Sequence, residues 1–228
     1  MLVETGNKLI INKLKRIFSM FWNDKLAFIS IIFLIFILII AFFGPALTND
    51  SFTKMNLRLR NLAPFSFDHS FMYFLGADAL GRSMIARLII GTQNTLFIAG
   101  SAVLISMAFG GVLGLISGYF GGKSGNLIMR LADIIMSFPS LLLAVIVLYM
   151  FEPGLVNLVL VLAFTRMPIY MRTARAEVLE IRERLFVSAA VSMGASHFRI
   201  IFKHIAPLTI PTLITIATLD FAFVMLGE

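Results

Sequence analysis

Cysteine is absent from the 228 residues, which rules out disulfides and thiolate metal sites and leaves the redox compartment unreadable. Charge is scarce too: 14% of residues are Asp, Glu, Lys or Arg, against 59% hydrophobic and a mean hydropathy of +0.95. A soluble domain is about 45–50% apolar and about 25% charged, so a water-facing surface cannot be assembled from what remains. The scarcity is also uneven. Segments 26–49, 88–122 and 134–151 contain no charged side chain, and each is about long enough to cross ~30 Å of hydrocarbon as a helix. A secretory signal peptide has a shorter apolar core and a polar chain behind it, whereas 26–49 is followed by further apolar runs. The stretch SIIFLIFILIIAFF (30–43) does not alternate as a barrel strand must. What is left is an all-α, polytopic membrane helix bundle.

Five spans are expected: 26–47, a stretch within 95–119, 131–150, a short 154–170 with Arg166 near one end, and 205–226. The second is rich in small residues (Gly100, Ser101, Gly110, Gly111, Gly114, Gly118), which permit close helix approach. Basic residues orient the bundle. With a cytoplasmic N-terminus, the inner segments carry five (1–25), two (120–130) and seven (166–203) Lys and Arg, and the outer ones five (48–87) and none (151–154). That asymmetry favours N-in. The formal net charge of +7 is thereby accounted for by basic inner loops, and nucleic acid is not an expected partner. The organisation follows: an inner N-terminal segment 1–25, a first span 26–47, an outer loop 48–90 and a core 91–228 with an inner loop at about 171–205.

The segment GLISGYFGGKSGN (114–126) carries half of a phosphate-binding G-x-x-x-x-G-K-[ST] loop, but Ser117 stands where the first glycine belongs. Such a loop also needs a strand before it, and here a membrane helix precedes. The glycines read as a tight turn with Lys123 at the lipid headgroups. Loop 171–205 is richer. RTARAEVLEIRERLF (172–186) sets Val178, Ile181 and Leu185 at helical spacing among Arg175, Glu177, Glu180, Arg182, Glu183 and Arg184, the pattern of an amphipathic helix outside the bilayer. Small Ser188, Ala189 and Ala190 follow, then Gly194 as a break, then an apolar stripe Phe198, Ile201, Phe202, Ile205, with Pro207 where a last helix can begin. Periodicity alone fits a partner-docking knob and a purely structural hairpin equally well.

The segment SAAVSMGASHFRIIFKHIAP (188–207) resembles the EAA loop of binding-protein-dependent ABC importer permeases, and its His204-Ile205-Ala206-Pro207 ending is similar to that of the dipeptide, oligopeptide and nickel branch. Two further stretches look like that branch. FLGADALGRSMIARLIIGTQNTL matches its outer signature at Gly76, Asp78, Gly81, Arg82, Arg87 and Gly91, and GLISGYFGGKSGNLIMRLADIIMSFPSLLL resembles its second inner turn and the helix after it. Ser188 stands where the general motif has Glu; Ala77, Ser83 and Ala86 depart from the outer signature. The resemblance implies a type I importer permease fold, C-terminally short by one helix, leaving the C-terminus at the outer face. It implies no catalysis, metal or cofactor in this chain. It also implies a bacterial plasma-membrane location, a second homologous permease subunit, two cytoplasmic ATPase subunits contacted through Ser188, Ala189, Ala190, Gly194, His204, Ile205 and Pro207, and an extracytoplasmic solute-binding protein, with lipid around the bundle. Dipeptides or oligopeptides are the expected cargo. Nickel or another small solute, or a truncated non-transporting membrane fragment, are the alternatives; a secondary transporter is disfavoured by the few intramembrane charges and the lack of an inverted repeat.

Other polar residues have plainer expectations. Asp220 is a costly intramembrane charge, read equally as functional or as reaching the interface. Arg130 and Asp133 are expected to pair. His197 and His204 lie seven apart on one helical face, and with no third ligand nearby they read as interface polar contacts. His69 is alone in the outer loop.

Overall fold

The computed structural model describes residues 24–48, 52–66, 69–150 and 154–227. It divides into two compact units, Met1–Asn94 and Thr95–Glu228.

In the first unit, helix α1 (Lys25–Leu47) starts where Asp24 accepts from the Leu26 and Ala27 amides at 3.1 Å, satisfying two of the orphan donors of a helix N-terminus. Nearly every large side chain on α1 is exposed, and only Ala41 and Gly44 among its residues are buried. That is the surface of a lipid-facing helix. Pro45 lies in its last turns. Gly44 marks a close approach to Ile89, whose Cγ2 would lie 2.5 Å from an added Cβ. Ile89 belongs to α2 (Met84–Phe120), which is 37 residues long. It begins earlier than the charge-free run suggested, so Arg87 and Gly91 ride on its first turns.

The second unit holds the rest of α2, then α3 (Gly122–Ser137), α4 (Ser140–Met150), α5 (Leu155–Ile181), α6 (Leu185–Ser192) and α7 (His197–Gly227). Gly110, Gly114 and Gly118 of α2 recur every fourth residue and so share one face. An added Cβ would fall 2.5 Å from the Met167 carbonyl oxygen, 2.5 Å from that of Met171 and 2.7 Å from Val178 Cβ, respectively. Lipid tails are as apolar as side chains, so helices in a membrane associate through such close packing. Around this seam lies a core of Ala99, Ala102, Val103, Ala163, Tyr170, Ala174, Leu213 and Val224. Ser106 donates to the Ala163 carbonyl across it at 2.8 Å.

Among the described residues four helices are long and apolar enough to cross a membrane: α1, α2, α5 and α7. The expected span at 131–150 is instead two helices. Phe138 is extended (φ −92°, ψ 135°) because the ring of Pro139 disfavours helical geometry in the residue before it, and the 11-residue α4 starts afresh beyond it. The amphipathic α3 exposes Leu127, Leu131 and Ile134 along one side, while Ala132 and Gly125 are buried. Two other expectations need correction. The span at 154–170 does not stop but runs on as α5 to Ile181, absorbing most of the separate amphipathic helix. Pro207 does not begin the last helix, because α7 already starts at His197. The ladder absorbs this proline, which lacks an N–H, through a π-helical segment, Ile200–Ile205, just before it, where the Ala206 amide reaches the Ile201 carbonyl.

Candidate functional site

The elbow between α5 and α7 is built by two local devices. Helix α6 ends in a Schellman arrangement: the Ala195 amide reaches back to Ala190 O at 3.1 Å and the Gly194 amide to Val191 O at 2.9 Å. This closure needs a left-handed residue after the last turn, and Gly194 supplies it at φ +76°. Ser196 then caps α7 by accepting from the Arg199 amide at 3.4 Å. The helix–glycine turn–helix expectation holds.

The elbow has two faces. Val187, Ala190, Ile200, Ile201 and Ile205 form one buried cluster with Leu115 of α2 and Val178 and Ile181 of α5. Ser188, Ala189, Gly194 and Pro207 are exposed, His204 is half-buried, and nothing lies within 4 Å of an added Cβ at Gly194. Leu185 (88% exposed), Met193 (81%) and Phe198 (71%) stand out beside them. The expected contact residues are therefore divided: Ala190 and Ile205 hold the elbow to the bundle, and Ser188, Ala189 and Gly194 form its outer surface.

Polar staples tie the end of α5 and this elbow to the α2–α3 turn. Arg175 donates to Gly125 O (2.9 Å), Ser117 Oγ (3.3 Å) and Asn126 Oδ1 (3.0 Å), and Arg182 donates to Gly118 O at 3.1 Å. Tyr119 Oη lies 2.8 Å from His197 Nδ1, with the Phe120 ring edge-on to the same imidazole. Asp133 pairs with Arg172 at 2.6 Å, not with Arg130; α5 leans on α3, so a partner 39 residues away is nearer than one on the same helix. Glu177 accepts from Thr212 at 3.0 Å. At 100° per residue, positions 172, 175 and 182 fall within about 80° of arc on α5, a periodic signal in the sequence that points to one common neighbour.

The glycine-rich turn is not a phosphate cradle. Helix α2, not a strand, precedes it, and Gly121 (φ +58°) and Gly122 (φ +55°) let the chain reverse directly into α3. Its Gly125 carbonyl is occupied by Ser117 and Arg175.

In the other unit, the signature stretch from Gly76 to Gly91 makes a clamp centred on Asp78. The carboxylate accepts from the Leu80 and Arg82 amides at 2.9 Å, from Arg82 Nε at 2.8 Å and from Arg87 Nη1 at 2.8 Å. The Arg82 amide chiefly, then its guanidinium and the Leu80 amide, hold Asp78 down to about 2, against desolvation that pushes the other way. Gly76 (φ +83°) and Gly81 (φ +71°) turn the chain around this carboxylate, and an added Cβ would meet the Leu62 and Asn56 carbonyl oxygens at 2.4 and 1.8 Å. Ser83, at the signature's departure from Asp, is fully buried and donates to the Met72 carbonyl. Gly91 stands apart, with open space where a Cβ would be.

Asp220 does not reach for an interface. It is 4% exposed, accepts from Tyr170 Oη at 3.1 Å and lies 3.5 Å from Arg166 Nη1. Arg166 lies inside the 27-residue α5.

Comparison with known proteins sets this geometry beside relatives. The family model described as binding-protein-dependent transport system inner membrane component matches residues 110–228. A second, the N-terminal transmembrane domain of oligopeptide transport permease C, matches 13–64. The dipeptide transport system permease protein DppC of Alkalihalophilus pseudofirmus is 36% identical over 209 residues, 92% of this chain and 67% of that protein. The oligopeptide transport system permease protein OppC of Bacillus subtilis is 31% identical over 199 residues, 87% of this chain and 64% of its own length. The nickel transport system permease protein NikC of Escherichia coli is 31% identical over 205 residues, 90% and 71% respectively. The chain thus spans about two-thirds of the length of these relatives.

Proposed function

The chain belongs to the family of binding-protein-dependent transport system inner membrane components, and from that premise we propose that it is one of two membrane subunits of an ATP-driven importer of dipeptides or oligopeptides. The observation that carries the reading is the two-faced elbow. Its inner face is buried against α2 and α5, so a push on it moves the bundle instead of bending a loop. Its outer face presents Leu185, Ser188, Ala189 and Met193 to a partner.

In this mechanism ATP hydrolysis belongs to two separate cytoplasmic subunits, one of which seats the elbow in a groove. Closure of the ATPase pair moves α6 as a rigid knob, and the staples from Arg175 and Arg182 carry that displacement to α2 and α3. Coupling of this kind requires two discrete arrangements, each favoured by a different ligand state. The N-terminus and the elbow are cytoplasmic, a homologous subunit completes the path, and an extracytoplasmic binding protein delivers cargo at the face carrying the Asp78 clamp. What supports the cargo class is the naming of the peptide-transporting relatives; the nickel relative favours nickel as the second reading.

Reconstitution of the chain with its partner subunits in proteoliposomes tests the proposal. Peptide-loaded binding protein is expected to stimulate ATP hydrolysis and peptide uptake together. Stimulation by nickel-loaded binding protein alone would select the second reading, and failure of both would end the importer assignment.

A further inference from the structure

Arg166 sits eleven residues past Leu155, about 16 Å along α5, a helix long and apolar enough to cross a membrane. A guanidinium in a membrane-crossing helix is costly against lipid, and such groups look into the bundle or a water-filled cavity. Its side chain is 29% exposed, against 5% for Asp220. Both border a groove of about 210 Å³ whose other walls are Ile169, Ile216, Leu219 and Phe223. A cationic group that is accessible, an anionic one that is not, and four apolar side chains make an asymmetric site.

The pairing leaves Arg166 free to bind. A tight charge-assisted contact is about 2.7–2.9 Å and frequently bidentate, whereas Arg166 meets Asp220 through one nitrogen at 3.5 Å. Guanidinium has five N–H donors in a planar fork. Both carboxylate oxygens of Asp220 are engaged, one by Arg166 and the other by Tyr170, so the site offers donors and withholds acceptors. A volume of about 210 Å³ is below the ~300–1,000 Å³ of a pocket enclosing a whole small molecule; it suits one end of a longer solute.

We propose that this groove is a transit site for the terminal carboxylate of the transported peptide, with Arg166 as its anchor, Asp220 and Tyr170 as positioning residues, and the apolar walls contacting the adjoining side chain. The inference rests on the peptide-importer reading. It separates from a purely structural strut between α5 and α7, because a strut is indifferent to the chemistry of the cargo.

Two measurements on the reconstituted complex test it. The chain has no cysteine of its own, so Leu219→Cys gives this subunit a single reporter in the groove. Labelling by a charged methanethiosulfonate is expected, with a peptide bearing a free C-terminal carboxylate protecting at least fivefold better than its C-terminal amide. No labelling in any nucleotide state, or equal protection by acid and amide, overturns the site. The second measurement is the ratio of acid to amide uptake. The apolar pair Arg166→Met with Asp220→Leu is expected to lower that ratio at least fivefold relative to wild type while still inserting and assembling. Arg166→Lys, which keeps the charge but not the fork, is the check should the apolar pair fail to assemble, with a smaller fall, about twofold to fourfold. A wild-type ratio preserved in whichever of the two variants assembles overturns the proposal and leaves the importer intact. Wild-type protein that takes up neither acid nor amide removes the peptide-importer reading and this inference with it.

Discussion

The same substitution, glycine to alanine, is expected to have opposite signs at two positions of α2. In a helix interior alanine is favoured over glycine by roughly 1 kcal/mol, and at Gly91 nothing lies within 4 Å of the new methyl group, so Gly91→Ala stabilises. At Gly114 the methyl would sit 2.5 Å from the Met171 carbonyl oxygen and 2.6 Å from Ala174 Cβ. Carbon atoms rest at about 3.5–4.0 Å, so α2 and α5 must part by about 1 Å there. A gap of that size forfeits a quarter to a half of each contact well along the seam. The helix-propensity gain is common to both variants and cancels in their comparison, leaving an overpacking difference of about 1–3 kcal/mol. Titration with SDS in mixed micelles, followed by circular dichroism, measures it: the midpoint should move up for Gly91→Ala and down for Gly114→Ala. In the importer, transport by Gly114→Ala should fall as well, since parting the helices also moves the Gly118 acceptor away from Arg182. Equal midpoints would refute the claim that the glycine seam sets the α2–α5 distance.

Other perturbations follow from the same geometry. Gly194→Pro cannot adopt φ +76°, and Ala189→Trp enlarges an exposed surface without touching the core; each is expected to cut uptake at least tenfold in the reconstituted complex while membrane insertion and α-helix content stay unchanged. Because Asp78 is held below its ordinary value of 3.8, to about 2, its stabilisation of the loop around it is fully present above about pH 4, fades as pH falls through 2 and is absent below that. Hydrogen exchange at the Leu80 and Arg82 amides should show this acid step in wild type and lack it in Asp78→Asn, whose exchange is already fast at pH 5. Arg175→Met removes three hydrogen bonds, and partial exposure discounts their worth to about 1–2 kcal/mol in total. The Asn126 amide, where the turn runs into α3, should then exchange roughly 5- to 30-fold faster.

Sequence by itself determined the class of protein and most of the elbow. Long charge-free runs leave a helix no environment but hydrocarbon. A glycine after Ala189, Ala190 and Val191, followed by Ser196, spells a stop and a restart through local backbone chemistry, with no need of a distant partner. The clamp was half legible: Gly76, Asp78, Gly81 and Arg82 lie within seven residues, so their turn is local, and only the reach of Arg87 back from the first turn of α2 required the fold. Tertiary structure decided everything that joins residues far apart. Asp133 chose Arg172 over Arg130, Arg175 found Gly125, and Asp220 met Arg166 and Tyr170, because helix crossings bring into contact side chains that no periodicity links. It also split the expected third span, since a run of apolar residues specifies where a chain can reside but Pro139 and its neighbour's backbone set whether it stays one helix. The charge at 220 shows the physical reason most directly. Its cost in an apolar segment is written in the sequence, while the partners that offset this cost come from another helix, and only packing selects them.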